Sequence, residues 1–106
     1  MVFSTSGIQF EIREVPNVIE ALRSIFGNKM GFRGELHGIT LQEHSLILVG
    51  RDQSEPQRAR TILHEATHAI MPAMNERSVR KLEDGLFPLI RRCGFAYPED
   101  LLRRDQ

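Results

Sequence analysis

Residues 64 to 68 read His64-Glu65-Ala66-Thr67-His68. On a helix, positions i and i+4 stand one above the other on the same face. Two imidazoles so placed can turn a nitrogen each toward one metal ion, and zinc suits such a nitrogen pair. Glu65 lies about 100° round the helix, too far to complete the pair but within reach of a water on the ion's open side. Zinc held by three protein ligands lowers the pKa of its remaining water to about 7. Glu65, as general base, would take that water's proton during attack on a carbonyl and pass it to the leaving amine. The chemistry is amide hydrolysis. The competing reading, two hydrogen-bonded core histidines and a solvated glutamate, needs no metal. The apolar flanks Thr61-Ile62-Leu63 and Ala69-Ile70-Met71 supply the buried helix that a metal site requires.

A third ligand must come from elsewhere in the chain. A metzincin would continue with Gly at position 71 and His at position 74, where this chain has Met71 and Met74. A carboxylate from the next helix is therefore required. Val79, Leu82, Leu86, Leu89, Ile90 and Cys93 recur at helical period. With the centre of that stripe as the packed face, Glu76 and Glu83 both fall on one flank, two turns apart. Height along an antiparallel partner helix slightly favours Glu83. Glu76 also suits a first-turn acid behind an Asn75 cap. On residue chemistry the choice stays open.

His37, His44 and Tyr97 are candidates to stabilise an oxyanion. The default expectations are surface or turn positions for the two histidines and ring packing for Tyr97. Cys93 falls on the apolar stripe and is expected as a buried structural thiol.

The elements that would position these residues follow from spacing. Ile8, Phe10 and Ile12 alternate with polar residues, the period of a half-buried strand ending near Pro16. Asn17 and Glu20 form a capping box ahead of Val18, Leu22, Ile25 and Phe26, with Gly27 as the stop of a short helix. After a loop through Gly31 and Gly34, the runs 35–41 and 45–49 flank Gln42-Glu43-His44 and predict a hairpin. Ser54, Pro56 and Gln57 start the helix that carries the motif to about Ile70. Pro72 and Asn75 punctuate the chain before a second long helix that packs back on the first. Pro98 opens a further short helix.

At 106 residues, with 41% apolar and 26% charged residues, the chain is expected to fold as one compact α+β domain over 1–106, without a separate recognition domain. Fourteen basic residues balance fourteen acidic ones, so no global field draws nucleic acid or an anionic membrane. The arginines at 91, 92, 103 and 104 are read as a solvated face rather than a DNA-binding patch. One cysteine, no basic-then-apolar leader and no apolar span of bilayer length point to a cytoplasmic, reducing setting.

The run from Thr61 to Ile70, followed by Glu76-x-x-Val79-x-x-Leu82-x-x-Gly85-Leu86, resembles the small phage-type zinc peptidases, minimal gluzincins related to the ImmA/IrrE-like family. The likeness covers roughly residues 60 to 90. It implies a zincin-like fold, a small antiparallel sheet on two core helices, with zinc held by His64, His68 and Glu76. Glu83 remains the alternative third ligand, because the link after His68 is short and Arg80 stands where the family often has Asn or Asp. The resemblance also implies a peptide or protein substrate added as a strand along a sheet edge at residues 45 to 49, in the cytoplasm of a bacterial host if phage-encoded. The contrasting expectation is a zincin-fold binding or regulatory module of phage or prophage origin that has lost turnover.

Overall fold

The computed structural model describes residues 1–27 and 36–93. Strands β1 (Val2–Thr5) and β2 (Ile8–Val15) form a hairpin, followed by helix α1 (Val18–Phe26). Then come β3 (Gly38–Leu41), a 3₁₀ turn (Gln42–His44), β4 (Leu46–Gly50), α2 (Glu55–Ile70) and α3 (Glu76–Arg92). The strand order is β1-β2-β4-β3.

Helix starts and stops follow the sequence signals. Asn17 caps α1 by accepting the Glu20 backbone N–H at 2.9 Å, and Gly27, at φ 85°, closes it with its own N–H on the Arg23 carbonyl. Such a φ favours glycine. Ser54 caps α2 with Pro56 in its first turn, and Asn75 caps α3 through the Ser78 N–H at 2.8 Å.

The β1–β2 hairpin had not been expected from the sequence. Its turn residues, Ser6 and Gly7, both take positive φ (51° and 77°), the geometry that matches strand twist in a two-residue turn. The Ser-Gly dipeptide was the available signal. Phe3 and Phe10 then face each other across the ladder with ring centroids 5.6 Å apart.

The sheet is mixed rather than antiparallel. β4 pairs antiparallel with β3 but parallel with β2, because the chain passes through α1 and β3 between them and returns in the direction of β2. The expected edge at residues 45–49 is in fact the sheet's centre: β4 is paired on both sides and buried throughout. A continuous Leu-Ile-Leu-Val run suits that position. The free edge beside the helices belongs to β3.

Helices α1 and α2, rather than the motif helix and the third-ligand helix, cover the sheet. Leu46 and Leu48 point to one face and pack with Val18 and Leu22 of α1. Ile47 and Val49 point to the other, with Phe10, Ile12 and Ala69 of α2. α3 packs on α2 away from the sheet. No helix among the described residues is long and apolar enough to cross a membrane.

α3 departs from its apolar stripe. Val79 and Phe87 are buried, while Leu82, Leu86 and Leu89 are exposed and Cys93 is exposed rather than a buried thiol. The physical cause is the polar centre below, which turns Glu83 inward. The Pro98 segment and Gly31 and Gly34 lie outside the described residues. Phe87→Ala should therefore lower the unfolding free energy by roughly 3–5 kcal/mol, and Leu89→Ala should stay within about 0.5 kcal/mol of the parent, as read by urea denaturation. Equal losses would contradict this rotation of α3.

Candidate metal centre

α2 places His64 and His68 on one face, ring centroids 4.9 Å apart, and the first residue of α3 closes the group. Glu76 sets one carboxylate oxygen 2.7 Å from His64 Nε2 and the other 2.7 Å from His68 Nε2. The three offer ligand atoms that all lie within 4.8 Å of one another, so the group could hold a metal ion. The link Met71–Asn75 is short, yet sufficient. Because Glu76 opens α3, its side chain needs no further helical rise to reach the two imidazoles.

The two candidate third ligands separate. Glu83 reaches the far side of His64, its Oε1 2.7 Å from Nδ1, and contributes nothing to the ligand-atom group. A carboxylate there holds the Nδ1–H tautomer and aims the Nε2 lone pair at the centre. Glu83 is held in turn by Arg60, whose Nε donates to Oε2 at 2.6 Å; the same guanidinium pairs with Asp84 and lies 5.7 Å from the Phe87 ring centroid.

This arrangement tests the fit to a cation. A neutral imidazole carries one N–H, but His64 meets a carboxylate at 2.7 Å on each nitrogen. With the proton on Nδ1, the Nε2 lone pair faces a Glu76 oxygen, two acceptors in contact. A cation held by the two would turn that contact into ligation, as a second ring proton would turn it into a hydrogen bond. His68 Nε2 lies 2.7 Å from the second Glu76 oxygen, a single contact that an Nε2–H tautomer also satisfies. Nitrogen, nitrogen and carboxylate are donors that divalent transition ions accept.

Glu65 sits beside the group and is 9% exposed. Thr40 of β3 shares its hydroxyl proton between the Glu65 backbone carbonyl (2.8 Å) and Oε1 (2.9 Å). Among the described residues no hydrogen bond reaches Oε2. Burial pushes the Glu65 carboxyl above its ordinary value, against the Thr40 hydrogen bond and the imidazoles that pull it down. Burial also acts to raise Glu76, but His64 and His68 outweigh it and hold that carboxyl below its ordinary value.

Several residues that build the site carry no motif. A Cβ on Gly38 would lie 2.5 Å from Thr61 Cγ2 and 3.2 Å from Glu65 Cγ, so only glycine lets β3 come this close to α2. Gln42 donates to the His68 carbonyl at 2.8 Å, and Gln53 accepts from Thr61 while donating to the His37 and Gly50 carbonyls. These braces join both ends of β3 to the surface beside α2. Glycine in the middle of the predicted run 35–41 was the one advance hint.

The remaining candidates are scattered. His37 lines the cleft with His64 and Glu65, whereas His44 packs edge-on against Phe26, centroids 5.3 Å apart, and does not line it. Arg91 and Arg92 are exposed in the last turn of α3, where cations suit the helix dipole. Tyr97, Arg103 and Arg104 lie outside the described residues.

In a chelator-competition titration, Glu76→Ala should abolish specific divalent-metal binding, while Glu83→Ala should keep the ion with affinity about 10–100-fold weaker. Loss of binding only in Glu83→Ala would reverse the two roles. In comparisons with known proteins, no family model, curated protein or solved structure matches the chain.

Proposed function

We propose that the protein is a zinc-dependent peptidase. One observation carries the reading: the ligand atoms of His64, His68 and Glu76 converge while the buried, hydrogen-bonded Glu65 stands next to them. Zinc held by the three would supply a Lewis acid that acidifies water and polarises an amide carbonyl. His64, His68 and Glu76 hold the ion, and Glu83 keeps His64 in the binding tautomer. Glu65 provides the proton acceptor. Thr40 occupies Oε1, which leaves Oε2 to take a proton from the attacking water and return it to the leaving amine. A carboxyl raised by burial is closer to the working pH of a general base.

The free edge of β3 runs beside this group. One groove lined by Gly38, Ile39, Thr40, Gln42 and Pro72 passes His64, Glu65 and His68. An extended peptide laid there would add a strand to the sheet, its backbone paired by β3 and its scissile bond over the ligand group. The grooves on either side are open, about 350 and 400 Å³, so recognition falls to backbone pairing more than to a deep side-chain pocket.

Glu65→Gln separates catalysis from folding and metal binding. The variant should retain zinc near one equivalent by plasma mass spectrometry and cleave a peptide accepted by the parent about 10²–10⁴-fold more slowly. Zinc retained in both proteins with equal, negligible turnover on a diverse peptide library would instead favour a zincin-like binding module.

A further inference from the structure

The cleft beside the ligand group is lined by two arginines, Arg60 and Arg80, and they are held very differently. Arg60 is one-third exposed and committed to Glu83, Asp84 and the Phe87 ring. Arg80 is 72% exposed, and its ion pair is a 3.5 Å approach of Nε to Glu76 Oε1 one turn earlier on α3. That separation exceeds the length of a good charge-assisted hydrogen bond, and exposed pairs at this spacing are weak.

The location is what matters. The Glu76 oxygen that Arg80 approaches is itself 2.7 Å from His64 Nε2, so the guanidinium stands at the ligand atoms, on the cleft side, with solvent around it. With the Glu76 charge engaged by a bound cation, Arg80 would be released toward another anion. In the peptidase reading, negative charge would develop on the oxygen of the carbonyl under attack, beside the ligand atoms that Arg80 approaches. Of the histidines considered for that role, His44 is turned away onto Phe26, and His37 lines the cleft but has no described contact with the ligand group. Guanidinium geometry also suits oxygen anions, through paired N–H donors in one plane.

Resting on the peptidase reading above, we propose that Arg80 is a catalytic residue that stabilises the oxyanion of the scissile carbonyl. Water oxygen bonds to the carbonyl carbon, its proton goes to Glu65, and the C=O π pair moves onto oxygen, where the Arg80 N–H groups donate to it. When the pair returns, the C–N bond breaks and the amine leaves with the proton from Glu65. Arg80 keeps its own protons throughout. The residue at position 80, a departure from the resembling family's pattern, thereby gains a role.

Inorganic phosphate, a tetrahedral oxyanion, probes this without a known substrate. It is titrated into the cobalt-loaded protein, followed by the visible absorption of the metal. Arg80→Gln should bind cobalt as the parent does while its phosphate Kd rises about tenfold or more, the worth of one charge-assisted hydrogen bond. Arg80→Lys should fall between, and Arg77→Gln, on the exposed side of the same helix, should match the parent in both. On a peptide the parent cleaves, Arg80→Gln should lower kcat about 10²-fold with little change in KM. Parent-like phosphate affinity in cobalt-loaded Arg80→Gln overturns the role of Arg80 and leaves the peptidase reading standing. A parent that binds no cobalt removes both.

Discussion

Glu76 and Glu83 stand two turns apart on α3 and close on opposite nitrogens of the same imidazole, and this contact sets the rotation of α3 about its own axis. Residues at i, i+3, i+7 and i+11 lie along one line of a helix, so Val79 and Phe87 are carried inward with the two carboxylates. Leu82, Leu86 and Leu89 are carried outward. A rotation chosen by the leucines would withdraw both carboxylates from a largely buried His64 and leave Arg60 without Glu83. Removing one partner of a largely buried ion pair costs about 3–5 kcal/mol, while Leu82, Leu86 and Leu89 are already partly covered, so each would gain less than the roughly 1.5–3 kcal/mol of a full burial. The polar face governs because its groups lock together, whereas the leucines act separately.

The same contact needs a sheet that holds α2 still. β4 lies buried in the centre, and its alternating side chains tie α1 to one face and α2 to the other. Gly38 then lets β3 approach α2 closely enough for Thr40 to reach both the backbone and the side chain of Glu65. Fold and site meet at this glycine. The backbone spacing that fills the core beneath α2 also desolvates the carboxylate beside the ligand group, so its raised pKa comes first from packing, with the Glu76 charge adding to it.

How much of this is legible in the sequence depends on the range of the interaction. The α2 limits were readable because Ser54, Pro56 and Gln57 act within one turn, and the i, i+4 histidines because both lie on one helix. The β2, α1 and hairpin readings held for the same local reason. The parallel β2–β4 pairing was not readable: it depends on where α1 returns the chain, which no local spacing encodes. The edge was mistaken with it, since residues 45–49 look alike as an edge or a centre until β2 is placed. For α3, periodicity found the helix and Val79 but put the wrong face against α2. Hydrophobic pattern marks where apolar residues lie, but here a carboxylate flank meets α2. Placing Glu76 and Glu83 together on that flank was sound, and only tertiary contact could assign one to each nitrogen of His64.

Charge gives the last constraint. The residues lining the cleft include four carboxylates, Glu65, Glu76, Glu83 and Asp84, and two guanidinium groups, Arg60 and Arg80. With neutral imidazoles, the cleft holds a formal excess of two negative charges in a chain whose net charge is zero. Two of those carboxylates are largely shielded from water, where uncompensated charge is most costly. Arg60 offsets one of the two charges on Glu83 and Asp84, of which Asp84 is open to solvent, and Arg80 is only loosely applied to the other pair, Glu65 and Glu76, which lies nearest the converging histidine nitrogens. A divalent cation at the ligand group would bring compensating charge to the pair nearest the histidine nitrogens.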